Sequence, residues 1–191
     1  ATRPLYSFNL SNSFIRIWGS GQPSLGPGGL LVNDIKGETS FSERMGSLTF
    51  FHSRPSVLKL DAALNAGNVK CYWVFRDAAN AQIKTAELPL KQGNNQLSFN
   101  LTETLAAAKL PVRVERCALA NSGNVPGWVL LTGSTLGVDQ PLTEAIDFTV
   151  LTGNDIHVLK SGQESALKYM FTNTSNQAGE FNISLDFKSF V

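Results

Sequence analysis

Charge is scarce in this chain. Only 16% of its 191 residues are charged, 16 Lys+Arg against 15 Asp+Glu, giving a net charge of +1. That balance leaves no strong field to steer nucleic acid or an anionic membrane. Histidine and cysteine are scarcer still, at 2 each. His52, His157, Cys71 and Cys117 stand apart, without His-x-x-x-His or Cys-x-x-Cys spacing, so they build no metal site among themselves. Two cysteines also make no disulfide framework. Both sit among strand-like residues and read as small buried apolar groups. No apolar run approaches the ~18 residues of a transmembrane helix. The opening Ala1-Thr2-Arg3-Pro4-Leu5-Tyr6 lacks the basic-then-apolar order of a signal peptide.

What the chain has is alternation. Leu58, Leu60 and Ala62 oppose Lys59 and Asp61. Val69, Cys71, Trp73 and Phe75 share a face against Lys70, Tyr72 and Arg76. The same period of two runs through Leu97, Phe99 and Leu101, through Ile146, Phe148 and Val150, and through Leu167, Tyr169 and Phe171. It is plainest in Phe181, Ile183, Leu185 and Phe187 near the end. Successive strand side chains point to opposite faces, so these are half-buried β-strands. Turn-forming clusters at 65–68, 77–80, 93–95, 152–155 and 173–176 separate them. Short strands at ~8–12-residue spacing predict an antiparallel sandwich or barrel.

Helix is limited to one or two short pieces. Residues 103–109 are expected to be helical, with Thr102 as N-cap, Glu103 at the positive end and Pro111 as the stop. A single turn is expected over 42–45. The Gly- and Pro-rich stretch 19–29 reads as a long loop after a first strand at 14–18. The expected organisation is one domain, 1–191, with an N-terminal strand and loop over 1–29 and the sandwich core over 30–191.

Chemistry is hard to assemble. His52 and His157 read as strand residues. Gly133-Ser134-Thr135-Leu136-Gly137 does not match the Gly-x-Ser-x-Gly nucleophile elbow, and Gly26-Pro27-Gly28-Gly29 lacks the lysine and helix of a phosphate loop. The acids fall on polar strand positions (Asp61, Glu115, Asp147, Asp186) or in turns (Asp77, Asp139, Asp155). A glycosidase would need two of them across a cleft, and the sequence pairs none. Trp73 and Tyr169 read as core, and Trp128 as core or subunit interface before ligand platform. Among the dispersed basic residues only Arg113 and Arg116 come close, with Glu115 between them. No enzyme is expected, and no catalytic, cofactor-binding or metal-ligating residue; no cofactor is implied.

The final strands bring a family into view. Residues 147–156, then 160–164 leading into 167–174, then 181–187, resemble in order the C-terminal strands of the small coat protein of comoviruses and their secovirid relatives, the nepoviruses and cheraviruses. Ser42-Glu43-Arg44-Met45-Gly46-Ser47-Leu48 ahead of Ser56-Val57-Leu58-Lys59-Leu60 is similar to that family's short helix before a core strand. The resemblance covers roughly the last fifty residues, and the middle loosely. It implies an antiparallel eight-stranded jelly-roll β-sandwich, cut from a polyprotein and assembled with sibling coat proteins into a pseudo-T=3 shell around single-stranded RNA. Near-neutral charge and a start at Ala1 without Met agree with it. The stop at Val191, where comovirus-like subunits carry an extension, favours a cheravirus-like arrangement of three coat proteins.

The leading expectation is therefore a capsid subunit of a non-enveloped icosahedral picorna-like plant virus. Its partners would be copies of itself and sibling chains, with weak, non-specific genomic RNA contact and no membrane. It would reside in the virion, and in the host cytoplasm before assembly. The alternative is a carbohydrate-binding β-sandwich module or lectin, with exposed coplanar aromatics around Trp18 or Trp128.

Overall fold

In a computed structural model of the protein, the described residues are 3–8, 10, 15–26, 28–43, 49–50, 54–138, 146–150 and 169–173. The strands are β1 (Arg3–Ser7), β2 (Ile15–Gly19), β3 (Gln22–Gly26), β4 (Gly29–Ile35), β5 (Gly37–Glu43), β6 (Thr49–Phe50), β7 (Val57–Ala66) and β8 (Val69–Arg76). They continue with β9 (Gln82–Lys84), β10 (Leu88–Pro89), β11 (Gly93–Asn100), β12 (Val112–Asn121), β13 (Gly127–Val138), β14 (Ile146–Val150) and β15 (Tyr169–Asn173). One short helix, α1 (Leu101–Thr104), lies between β11 and β12.

Two antiparallel sheets carry the fold. Sheet A runs β11-β7-β13-β4-β3, with β1 also against β13. Sheet B runs β10-β8-β12-β5-β2, with β6 also against β12 and β9 also against β8. Several short strands share one lane. β4 pairs with β13 at Leu130 and Leu131, while β1 takes the same edge from Thr135 onward. β9 and β10 likewise follow one another along β8.

Counted by lane, β4, β5, β7, β8, β9/β10, β11, β12 and β13 form the expected eight-stranded jelly roll. Four interleave as β4-β13-β7-β11 and four as β5-β12-β8-β10, which is double Greek-key winding. β2 and β3 extend each sheet by one lane. The winding is complete by Val138. β14 and β15 pair with each other, Phe148 opposite Phe171, in a separate two-stranded sheet. The alternating segment 181–187, together with His52 and His157, lies outside the described residues.

The alternation becomes burial. Leu58, Leu60, Ala62 and Leu64 of β7 face Val69, Cys71, Trp73 and Phe75 of β8 across one core, joined by Leu30, Val32 and Ile35, Val112, Cys117 and Leu119, and Val129, Leu131 and Leu136. Each such aliphatic or aromatic side chain contributes about 1.5–3 kcal/mol on leaving water. Phe8 and Phe41 pack on Trp73, with ring centroids at 5.1 and 6.1 Å. Cys71 and Cys117 are buried free thiols, their Sγ atoms 3.5 Å apart. Burial, then the neighbouring Cys71, pushes the Cys117 thiol well up.

Several local expectations are corrected. Stretch 19–29 is no long loop: it holds β3, which forms a hairpin with β4, Leu25 opposite Leu30. Gly29 permits this, since at φ +126° an added Cβ would run into the Leu131 carbonyl of the neighbouring strand. The helix begins earlier and is shorter than 103–109. Its N-cap is Asn100, not Thr102, because the Asn100 Oδ1 accepts from the Thr102 and Glu103 backbone N–H groups at 3.1 and 3.4 Å. Gly93 and Asn95 open β11 instead of forming a turn, because they pair with Leu64 and Ala62. Ser42 and Glu43 belong to β5, and 44–45 lie outside the described residues.

Candidate interaction surfaces

One end of the sandwich is held together by a single side chain. Asn121, at the end of β12, is buried, and its amide Nδ2 donates to the Ile35 and Val125 carbonyls at 2.8 Å each. Its Oδ1 accepts from the Asn68 and Gly123 N–H groups at 3.0 Å each. Both amide hydrogens and both oxygen lone pairs are thereby used. The loop after β4, the β7–β8 turn and the 121–127 loop are tied at one point. Gly67 closes the knot: at φ +89° an added Cβ would lie 2.7 Å from the Gly127 Cα.

That rigid end displays apolar groups. Val125 is 60% exposed and Trp128 44%, and with Trp18 at 42% they are the exposed large hydrophobics among the described residues. Trp128 precedes the buried Val129 in sheet A, whereas Trp18 follows the core-packed Ile17 in sheet B. By alternation the two indoles leave opposite outer faces of the sandwich, and Val125 lies in the loop tied by Asn121.

The outer face of sheet B has its own organisation. Trp18, Ser40, Ala118 and Tyr72 stand opposite one another in one row across β2, β5, β12 and β8. Tyr72, Val74 and Ala118 form a small buried cluster there, with Ala120 against it. The Tyr72 hydroxyl donates to Glu38, and the Lys84 ammonium sits 3.7 Å from the ring centroid. Burial first, then Glu38, pushes the Tyr72 phenol up to about 12. Lys84 is itself paired with Glu87 at 2.6 Å.

The remaining sequence candidates fall as follows. Trp73 is core, as expected. Ser134 is a buried β13 residue on no elbow. Asp61 lies on the polar side of β7, exposed. Asp77 is a turn acid whose carboxylate accepts from the N–H groups of Ala79, Ala81 and Lys109 at 2.9, 3.0 and 3.1 Å. The Lys109 N–H, then that of Ala81, holds it below the usual carboxylate range. Asp139, Asp155 and Asp186 lie outside the described residues, and so does the side chain of Asp147. Among the described residues no group of three His, Cys, Asp or Glu is placed to hold a metal, and no helix is long and apolar enough to cross a membrane. Sequence reasoning missed Asn121, whose only local signal is the following Ser-Gly.

No family model matches this sequence, and no curated protein matches it. Solved structures similar to it include a CBM29-2 variant solved to probe ligand recognition by family 29 carbohydrate-binding modules, at 14% identity and a TM-score of 0.47, covering 70% of this chain and 87% of that one. A second family 29 variant is 16% identical with a TM-score of 0.47, covering 72% and 91%. A family 29 module is 14% identical with a TM-score of 0.44, covering 69% and 90%. At these scores the likeness assigns neither ligand nor partner.

Proposed function

We propose that the protein is a structural subunit that works through its flanks and loop end, as a coat protein of a non-enveloped icosahedral shell. The observation that carries this reading is the placement of Trp18 and Trp128 on opposite outer faces, with Val125 in the loop tied by Asn121. A wedge with apolar groups on both sides suits a neighbour on each side. A sugar platform needs its aromatics on one face. Shell interfaces each bury on the order of 1,500 Å², so rigid loops lower the ordering cost of every contact. The work is association and not catalysis, among copies of the chain and sibling coat proteins, with the virion as its place and the host cytoplasm before assembly.

The test is assembly. Co-expressed with its sibling chains, the wild type is expected to give particles in electron micrographs. Val125→Ser with Trp128→Ser is expected to fold with an unchanged Tm and to give none. Particles at wild-type yield from the double variant would overturn the assignment of this end.

The second reading, a carbohydrate-binding module, is favoured by one observation. The Trp18–Ser40–Ala118–Tyr72 row puts an exposed indole beside a floor of small residues, with Glu38, Lys84 and Arg116 around it. A monodisperse monomer retained on a glycan column, and released by Trp18→Ala, would establish it in place of the shell reading.

A further inference from the structure

Sequence spacing sets Arg113 and Arg116 apart from every other cation, and the fold adds a third. Arg113 stands directly opposite Arg76 across β12 and β8, and Arg116 opposite Val74 two steps along the same pair. A register shift between Val114 and Arg116 inserts Glu115 among them. Such a bulge re-aims side chains that a regular strand would hold apart. Arg113 lies between the buried Val112 and Val114 and so points to the outer face of sheet B, where the Trp18 row lies.

The acids at this place are already spent. Glu115 Oε2 accepts from Arg76 Nε at 2.8 Å, and its Oε1 from Arg116 Nη1 and Gln82 Nε2, each at 2.9 Å. Asp77, the next residue after Arg76, has both oxygens on backbone N–H groups. The Arg113 side chain, half-buried, makes no hydrogen bond or ion pair with another described residue. Among the described residues, three guanidiniums thus share one carboxylate, an excess of two positive charges. Like charges placed directly opposite on a strand pair are destabilising. An anion on Arg113 would relieve that repulsion, and guanidinium forks match phosphate in shape and charge.

We propose that Arg76, Arg113 and Arg116 form a phosphate-binding site for the backbone of single-stranded RNA. The choice of RNA as the phosphate's source rests on the shell reading. Recognition is of backbone and not of base, so it carries no sequence preference.

The experiment is fluorescence anisotropy of a labelled oligouridylate with the purified full chain over a salt series. Three phosphate contacts predict a slope of log affinity against log salt of about −2, at about −0.7 per contact on a single strand. Arg113→Gln is expected to flatten the slope by about 0.7 and weaken binding several-fold. Its Tm should equal or exceed the wild type's, because a like-charge contact is gone. Arg113→Lys should keep the slope while weakening binding, and Lys59→Gln, on the outer face of sheet A, should change neither. An unchanged slope in Arg113→Gln, or an equal loss in Lys59→Gln, would overturn the site. Occupancy by inorganic phosphate alone, without oligouridylate binding, would overturn the RNA assignment. Electron microscopy separates this outcome from the shell reading. Normal particles beside wild-type RNA binding by Arg113→Gln sink the site alone, whereas arginine-dependent RNA binding without particles sinks the shell.

Discussion

The two ends of this sandwich solve one problem, fixing several loops, with opposite chemistry. At the Asn121 end a neutral, buried amide makes four hydrogen bonds to backbone groups of three loops. At the other end the Asp77 carboxylate gathers three N–H groups, two from its own turn and one from Lys109. Arg54 adds a further tie there, donating from Nη2 to the Ala108 carbonyl. The amide end is tied by a group that does not titrate and is crowned by Val125 and Trp128. The carboxylate end is wet, titratable and ringed by Arg76, Lys109 and Arg113. An end built from neutral groups can stay rigid while it is desolvated by a neighbour, because burying a satisfied amide costs far less than burying a charge. An end built from charges suits an ionic partner in water.

That contrast can be broken in order of severity. Asn121→Ala orphans the buried Ile35 carbonyl and three part-buried groups, the Val125 carbonyl and the Asn68 and Gly123 N–H groups, and should cost about 3 kcal/mol in chemical denaturation. Its effect should be the same at pH 4 and pH 7; an effect that varied across that range would remove the distinction between the ends. Gly67→Ala forces a side chain into positive φ and onto the Gly127 backbone, which should cost about 2 kcal/mol. Between the ends, Tyr72→Phe removes the hydrogen bond to Glu38 and should cost about 1 kcal/mol.

The titration of Tyr72 sharpens the case. Its folded value, about 12, lies above the ordinary value of 10.0, so the stability linked to it is present below pH 10 and lost as pH rises through about 12. Ultraviolet titration of the phenolate checks this, and ionisation of Tyr72 near pH 10 would contradict it. The smallest effect belongs to Asp77→Ala. Asp77 titrates below its ordinary value, so its contribution is present above about pH 4 and fades as pH falls through the depressed folded value. The Tm gap between wild type and Asp77→Ala should therefore be constant near neutrality and narrow in acid. A gap that widened in acid would refute the role given to its three N–H contacts.

Alternation alone made most of the sandwich legible. Leu58 through Leu64 and Val69 through Phe75 face the core as their period of two requires. Turn composition is right at 65–68 and 77–80, where the chain reverses between strands, and misleads at 19–29 and 93–95. Residues 19–29 are rich in Gly and Pro and yet hold β3, which forms a hairpin with β4, because Gly29 and the β13 carbonyls fit together only across the sheet. Asn100 and Thr102 are both good caps in sequence, and only the geometry of the β11 exit gives the role to Asn100. The candidate surfaces are partly legible: Trp128, expected as core or subunit interface, is exposed beside the 121–127 loop. Asn121 itself was not visible, since its partners Ile35, Asn68 and Val125 are distant in the chain or indistinct in type.

By itself the sequence determined an all-β antiparallel sandwich, because hydrophobic period and strand-forming residues act within a few positions of one another. Tertiary structure alone decided which lanes interleave, that the jelly roll is complete by Val138, and that Trp18 and Trp128 turn their backs on each other. It also placed Arg76 across from Arg113. Those outcomes depend on register between strands dozens of residues apart, and a one-residue slip in register would send each of these side chains to the opposite face.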